Sequence, residues 1–242
     1  MWAECNRYIP SNCFSWCSLL TVFLLIIESL ATLFRANSIM TKAYDLYFKM
    51  TGQFYLSEML QDVIDQIYEP STIKDCELNP KFLSKPEKAA SNAAHVQAYA
   101  DKLLSRMYKN IQAVPVSFRH IFNQLRIRLL EKFPECKSQN AFYTSISAFL
   151  FLRFVCPAIL NPKIFKLRAE LPPTKANRSL TILAKLVQSI ANLIPFGEKE
   201  PYMMVLNDYH SEQMPKFMAF INKMTVVSIA TSYVKLIIIM VL

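Results

Sequence analysis

Two arginines stand out because their surroundings constrain what a guanidinium can do. Arg153 lies at the centre of FLFLRFV, residues 149–155, where every other residue is apolar or aromatic. A guanidinium carries five donors and keeps its charge, so an arginine embedded among apolar residues needs carbonyl or carboxylate acceptors. Arg153 therefore either grips such acceptors inside the fold or extends its charged end along the helix to the surface.

Arg35 differs from Arg153 because it lies in a predicted loop. It follows Thr32, Leu33 and Phe34 and precedes Asn37 and Ser38. Either Asn37 or Ser38 can cap a helix that begins near Ile39. By itself, an arginine just before a helix start is typical of a solvated loop charge.

A row of polar residues runs along one predicted helix, from about Lys175 to Leu193. Lys185, Gln188 and Asn192 are three and four positions apart, so they share a face of that helix. The opposite stripe is apolar and predicts burial: Ile182, Leu183, Leu186, Val187 and Ile190. The polar row is either the rim of a partner groove or simply the solvated side of the helix.

The elements that hold these residues are predicted to be helices. Two glycines stand against thirteen prolines, and no segment alternates with period two for long enough to form a sheet. Apolar stripes at helical spacing mark helices around residues 56–67, 96–111, 118–129 and 214–221. Residues 71–93 are predicted to be a polar connection, Pro115 to start a helix, and Pro157 to end the helix that begins near Asn140. The fold class is therefore all-α.

Composition limits the chemistry of the chain. A net charge of +9 suggests an acidic partner or surface, or a basic surface with no specific partner. Nucleic acid is the first alternative, but no zinc-finger, RNP or helix-turn-helix signature is present, so none is expected. Glycines only at 52 and 197 exclude a glycine-rich phosphate loop, and no catalytic constellation is evident. The six cysteines fit neither a disulfide framework nor a zinc site, which favours reduced thiols and no metal.

The two ends differ from the rest of the chain. Residues 8–27 carry no charge, and the tail at 225–242 is nearly as apolar. The N-terminal segment of 1–31 is a signal peptide, a short membrane anchor, a packed first helix or a segment foreign to the folded domain. The tail is a membrane anchor, a buried last helix or an extension of no structural role. Membrane contact through these ends is one expectation.

The central motif also carries a resemblance. FLRF followed by CPAILNP, residues 151–162, resembles the signature of the Ras GTPase-activating (RasGAP) domain. Two further blocks agree in the same order. TLFRANSIMTK, residues 32–42, is similar to the finger loop of the family, and residues 178–203 are similar to its Ras-binding helix and loop. CEL-P at 76–80 and FGEKEPYM most resemble the Src-homology-bearing member. The likeness covers about residues 32–224 and implies a RasGAP-like helical domain that lacks the first helices of the family core.

The resemblance implies roles for individual residues. Arg35 takes the position of the arginine finger, and Arg153 holds the finger loop. The positions that resemble Ras-binding residues of the family are Thr32, Leu33, Phe151, Leu152, Lys185, Gln188, Asn192, Lys199 and Glu200. Phe151 and Leu152 are expected on the floor of the groove.

The implied function is a GTPase activator that acts on a GTP-bound Ras-family protein and down-regulates Ras signalling. Such an activator completes the active site of Ras and has no site of its own, so no cofactor is expected, because the partner carries GTP and magnesium. The expected location is the cytoplasm, at the inner face of the plasma membrane. The alternatives are a non-catalytic Ras-binding module and a membrane-anchored fragment of a RasGAP.

Overall fold

The computed structural model describes residues 38–83, 85, 87–134 and 140–226. Within these residues every regular element is a helix, which confirms the all-α prediction. The α-helices are α1 (Ile39–Thr51), α2 (Gln53–Tyr68), α3 (Lys88–Lys109), α4 (Val116–Lys132), α5 (Asn140–Ser147), α6 (Cys156–Leu160), α7 (Thr174–Asn192) and α8 (Asn207–Thr225). A π-helical stretch, Ala148–Val155, joins α5 to α6, and 3₁₀ helices span Ile111–Ala113 and Pro201–Leu206.

Helix α1 begins at a capping box formed by Ser38 and Thr41. Ser38 is one of the two residues, with Asn37, that the sequence offers as the helix cap. The Ser38 hydroxyl accepts a bond of 3.1 Å from the Thr41 N–H, and the Thr41 hydroxyl accepts one of 2.9 Å from the Ser38 N–H. Two donors that the first turn would leave without partners are thereby satisfied. The start of α1 is consequently well defined at Ser38.

The core is built around a cluster of aromatic rings. The Phe48 ring of α1 lies 4.2 Å from Phe118 of α4 and 4.8 Å from Phe149 of the π-helical stretch, measured between ring centroids. Phe122 and Phe154 lie 5.8 Å from the same ring. These contacts join α1, α4 and the central motif into one apolar centre. The apolar stripes predicted from the sequence lie on α2, α3, α4, α7 and α8, where most of their residues are buried, while Ile111, Met214 and Met218 are partly buried against the core.

Gly52 lies at the junction of α1 and α2, against this cluster. A Cβ atom added there would lie 2.4 Å from Cζ of Phe154 and 2.8 Å from both Cζ of Phe118 and the carbonyl oxygen of Phe48. Glycine is needed at this position because the aromatic rings approach the backbone too closely for a side chain.

The central helical run, Asn140–Leu160, comprises α5, the π-helical stretch and α6. In the part of the chain that the structure describes, it is the one helix long and apolar enough to cross a membrane, yet most of it is buried inside the protein. It packs antiparallel to α7: the Ser147 hydroxyl donates to the Ala191 carbonyl at 2.5 Å, and the Cys156 thiol lies 3.9 Å from the Ala184 carbonyl. It is therefore the core helix of the domain. The apolar ends, 1–31 and 227–242, lie outside the described residues.

Pro157 does not end the central helix, so that prediction is wrong. The chain stays helical to Leu160, and Pro157 is the second residue of α6. In a regular α-helix the proline ring collides with the carbonyl of the residue four positions earlier, here Arg153. That carbonyl lies in the π-helical stretch, where the Cys156 N–H bonds to the Phe151 carbonyl, five residues back. The wider π register moves the carbonyl away from the ring and lets the helix continue.

The polar connection predicted at residues 71–93 ends earlier than predicted. Helix α3 already begins at Lys88. In the segment before it, Glu77 contacts both α7 and α3. Glu77 accepts two bonds from Arg178 of α7, at 2.6 and 2.9 Å, while the Asn92 amide of α3 donates to the Glu77 carbonyl at 2.8 Å. The two-pronged ion pair positions the first turns of α7 against α3.

The close approach at Gly52 gives a stability prediction. Gly52→Ala should lower the free energy of unfolding by about 1–3 kcal/mol, because the new methyl group must displace two packed aromatic rings. Gly197→Ala is the matched control, since no atom lies within 4 Å of its added Cβ. Urea denaturation of both variants measures the difference, and equal stabilities would contradict the packing described here.

Candidate functional site

Five of the predicted site residues line one groove. Lys185, Gln188 and Asn192 come from α7, and Lys199 and Glu200 come from the loop that follows it. The groove has a volume of about 690 Å³. The polar row on α7 is thus one wall of a shared concave surface and not merely the solvated side of a helix.

The opposite wall is a loop that the end of α7 folds back on itself. Leu193 adopts a left-handed conformation, with φ 56°, which terminates the helix. The Ile194 N–H donates to the Ser189 carbonyl at 3.2 Å, and the Ser189 hydroxyl donates to the Ile194 carbonyl at 2.6 Å. This paired contact satisfies the Ser189 carbonyl near the end of α7 and holds the turned chain against the helix.

Asn207 keeps the next part of the loop in place. Its side-chain oxygen accepts from the Phe196 N–H at 2.9 Å, and its amide nitrogen donates to the Phe196 carbonyl at 3.0 Å. Beneath the loop, the buried ring of His210 lies 3.2 Å from the Ser189 carbonyl through Nε2, and burial lowers the pKa of His210. Neither residue could be singled out from the sequence, because neither forms part of a motif or a periodic pattern.

Lys185 and Glu200 form an ion pair across the groove. The Tyr202 hydroxyl donates to the same Glu200 oxygen, Oε1, at 3.0 Å. Partial burial tends to raise the pKa of Glu200, but the bonds from Lys185 and Tyr202 outweigh it, and the pKa is lowered overall. The pKa of Lys185 is raised, because the bond to Glu200 outweighs the effect of burial. The pair fixes the loop to α7 and keeps both charges in place at neutral pH.

Arg153 contacts a carboxylate, which is one of the two outcomes that the sequence leaves open for a guanidinium in apolar surroundings. Its NH1 lies 3.3 Å from Oδ2 of Asp45 on α1, and its side chain is 11% exposed. Burial raises the pKa of Asp45, while the Arg153 charge and hydrogen bond counteract that rise. Arg153 thus ties the π-helical stretch to α1, whose cap at Ser38 follows Arg35 by three positions.

The residues before Arg153 separate into core and surface. Phe151 is only 1% exposed, and its ring packs 5.1 Å from the Phe217 ring of α8. The structure places it in the core and not on the floor of a groove, because the π-helical stretch directs it toward α8. Leu152 is partly exposed and stays available at the surface.

The predicted finger-loop residues, Thr32, Leu33 and Arg35, lie outside the described part of the chain. Arg153, Phe151 and Leu152 lie on the helix next to α7 but do not line the groove. Asp45 and Tyr202 were not singled out as site residues from the sequence. An arginine that needs an acceptor indicates that a partner such as Asp45 exists, but does not indicate which carboxylate it is.

The groove presents groups suited to binding. Lys199 is an exposed cation, Gln188 and Asn192 offer amide donors and acceptors, and Glu200 is already paired. The one hydroxyl of the lining, Ser189, bonds to a backbone carbonyl. Such a set fits the polar surface of a protein partner better than a small reacting molecule.

The Lys185 and Glu200 pair gives a pH prediction. Lys185→Met should raise the pKa of Glu200, since the burial that disfavours its charge remains and one of its two donors is lost. Titration of the Glu200 carboxyl carbon by NMR measures this, with Lys199→Met as the control expected to cause little change.

The same pair has a consequence for stability. A carboxyl with a lowered folded pKa contributes stability above its ordinary value of 4.5 and loses it as the pH falls through the folded value. This acid-sensitive contribution should be smaller in Lys185→Met than in the wild type. An unchanged Glu200 pKa in Lys185→Met would contradict the ion pair.

The amino-acid sequence is similar to those of known proteins that share one family. The family model for RasGAP, GTPase-activator protein for Ras-like GTPase, matches residues 83–192. A probable Ras GTPase-activating-like protein, ngap, of Dictyostelium discoideum is 36% identical over 81% of this chain and 22% of its own length. Ras GTPase-activating protein 1 of Rattus norvegicus is 33% identical over 81% of this chain and 19% of its own. The inhibitory regulator protein BUD2/CLA2 of Saccharomyces cerevisiae is 32% identical over 80% and 18%.

These likenesses extend beyond the motifs from which the resemblance was drawn. The chain spans about a fifth of the length of the curated relatives that it matches. The chain is 36% identical to ngap and 33% identical to Ras GTPase-activating protein 1, and these values do not distinguish between types within the family. The narrower resemblance to the Src-homology-bearing type stays a prediction. The family match includes the central signature and all of α7, and alignments with relatives named as Ras GTPase activators cover about four-fifths of the chain. The chain therefore belongs to the RasGAP family.

Proposed function

We propose that this chain activates GTP hydrolysis by a Ras-type GTPase in its GTP-bound state. The groove between α7 and the following loop binds the protein surface, and Arg35 enters the nucleotide site of the partner in trans. The observation that carries the proposal is the convergence of Lys185, Gln188, Asn192, Lys199 and Glu200 on one groove. The names of the relatives support the class of partner. The result is down-regulation of Ras signalling.

Hydrolysis of GTP is accelerated by a cation that the activator inserts into the nucleotide site of the GTPase. As the bond to the γ-phosphate breaks, charge builds on the phosphate oxygens, and a planar guanidinium stabilises it while displacing water. Arginine fingers of this class of activator raise the rate by about 10³–10⁵, a range that describes the class as a whole. At about 1.4 kcal/mol per decade, Arg35 would contribute about 4–7 kcal/mol. A desolvated, charge-assisted contact has the strength for this.

Arg153 supports the finger at a distance. Its bond to Asp45 fixes α1 against the core, and the Ser38 cap fixes where α1 begins. A loop that ends at a fixed helix start has fewer conformations to lose when it engages the partner. We therefore assign Arg153 as a positioning residue for Arg35, acting through α1 and the finger loop.

The remaining parts of the reaction belong to the partner. The GTPase supplies GTP, magnesium and the attacking water. This chain therefore needs no cofactor and acts as an activator, without an active site of its own. The proposed place of action is the cytoplasmic side of the plasma membrane.

Arg35→Ala separates activation from binding. The variant should lose two or more decades of stimulated hydrolysis in a single-turnover assay, while its affinity for GTP-loaded Ras changes little, because the finger acts in the transition state. Asn192→Ala and Lys199→Ala should instead weaken affinity first, since they contact the protein surface in every state.

Lys216→Ala, at an exposed position on α8, controls for the loss of one positive charge. Stimulation by Arg35→Ala at the wild-type rate would contradict the finger assignment. A wild-type chain that binds Ras without stimulating hydrolysis would establish the non-catalytic binding module instead.

Arg153→Lys tests the positioning role. An ammonium keeps the charge but lacks the planar set of donors, so stimulated hydrolysis should fall about tenfold or more while affinity for Ras changes less. The free energy of unfolding should drop modestly, because Asp45 keeps a cationic neighbour in a poorer geometry. Asp45→Asn should lower stimulation in the same direction. Full activity in both variants would mean that the pair does not position the finger loop.

A further inference from the structure

The outer face of α1 is both apolar and basic, and the groove does not use it. Ile39, Leu46 and Met50 are 90%, 61% and 73% exposed. Lys42 and Lys49 are exposed on the same side of the helix, because positions 39, 42, 46, 49 and 50 recur at helical spacing. Large apolar side chains grouped on one exposed face indicate a surface that meets something other than water.

A neighbouring loop continues this surface. The Gln53 amide, at the start of α2, donates to the Phe165 carbonyl at 2.7 Å, and the Lys49 ammonium lies 5.0 Å from the centre of the Phe165 ring. Ile164, next to Phe165, is exposed. The surface, here called the α1 face, comprises Ile39, Lys42, Leu46, Lys49, Met50, Phe54, Lys163, Ile164 and Lys166.

The charge of the α1 face is positive after its nearby carboxylates are considered. Asp45 pairs with Arg153, and Glu170 accepts a bond of 2.7 Å from Arg168. Each of these carboxylates is therefore already neutralised in part by an arginine. On α2 the face ends at Glu58, one turn beyond Phe54. Four lysines thus surround a group of exposed apolar side chains.

We propose that the α1 face binds the surface of an anionic lipid bilayer. Apolar side chains enter the boundary between headgroups and acyl chains, while lysines reach the negative headgroups around them. Each lysine near such a surface adds to the attraction, and the net charge of +9 adds a longer-range field. The groove residues lie on α7 and its loop, so this binding does not use the groove.

Charge favours lipid over the other occupants of the face. A second copy in a symmetric contact would bring the four lysines of each chain together. The apolar segment at residues 8–27 carries no charge and so offers no carboxylate to these lysines. Nucleic acid would meet the lysines but leave Leu46, Met50 and Phe54 without an apolar environment.

Flotation with vesicles tests the charge of the face in the full chain. Binding should be stronger to phosphatidylcholine vesicles that contain phosphatidylserine than to phosphatidylcholine alone. Lys42→Gln combined with Lys163→Gln should weaken binding to the anionic vesicles about 10- to 30-fold. Lys216→Gln combined with Lys223→Gln, two exposed lysines of α8, is the matched control and should bind nearly as the wild type does.

A second pair tests the apolar part. Leu46→Ser with Met50→Ser should also weaken anionic-vesicle binding, whereas Ile127→Ser with Leu171→Ser, at exposed positions elsewhere, should not. Circular dichroism confirms that each variant folds, and residues 8–27 are the same in all of them. Wild-type binding without preference for phosphatidylserine would overturn the proposal. So would wild-type binding by both α1-face variants, or dissociation of a dimer by Leu46→Ser with Met50→Ser while vesicle binding is unchanged.

Discussion

A guanidinium that cannot lose its charge lies among apolar side chains, and the placement of α1 on the central helix depends on which carboxylate pairs with it. Arg153 is nearly buried, and Asp45 of α1 supplies a carboxylate for it. Burial disfavours the charge of each partner, and it already raises the pKa of Asp45. Removing either one would leave a partly buried charge without its counterion, which costs more than the pair contributes. The pair therefore specifies how α1 sits on the central helix.

The central helix adapts its backbone to this role. The π-helical stretch carries Arg153 toward α1 and Phe151 toward Phe217, and it also makes room for Pro157 within a continuing helix. π-Helical turns are less stable than α-helical ones and persist where the surrounding packing determines them. Here the surrounding packing is the aromatic cluster centred on Phe48, with Gly52 leaving space for the ring of Phe154. The same cluster thus supports the signature motif and packs α1 against it.

The groove rests on a different set of contacts. The left-handed Leu193, the Asn207 side chain and the Lys185–Glu200 pair each tie the loop after α7 to a helix that is itself packed in the core. Near the start of α7, Arg178 forms an ion pair with Glu77. A surface held at so many points changes little on binding, which suits recognition of a preformed protein partner. The α1 face, by contrast, carries apolar side chains that are exposed to water until a partner surface covers them.

The sequence by itself determined the all-helical class, a helix cap at Asn37 or Ser38, the buried stripes and the polar row of Lys185, Gln188 and Asn192. These features depend on residues three or four positions apart, whose relation any helix imposes. The tertiary structure alone decided that Arg153 meets Asp45, 108 positions away, and that Glu77 meets Arg178 across 101 positions. It also decided the π register and the burial of Phe151. Pairings over such distances follow from how the helices pack, and several carboxylates in the chain would satisfy an arginine equally well on paper. The local sequence pattern predicts that a residue such as Arg153 requires an acceptor, whereas the packing of the helices determines which carboxylate lies next to it.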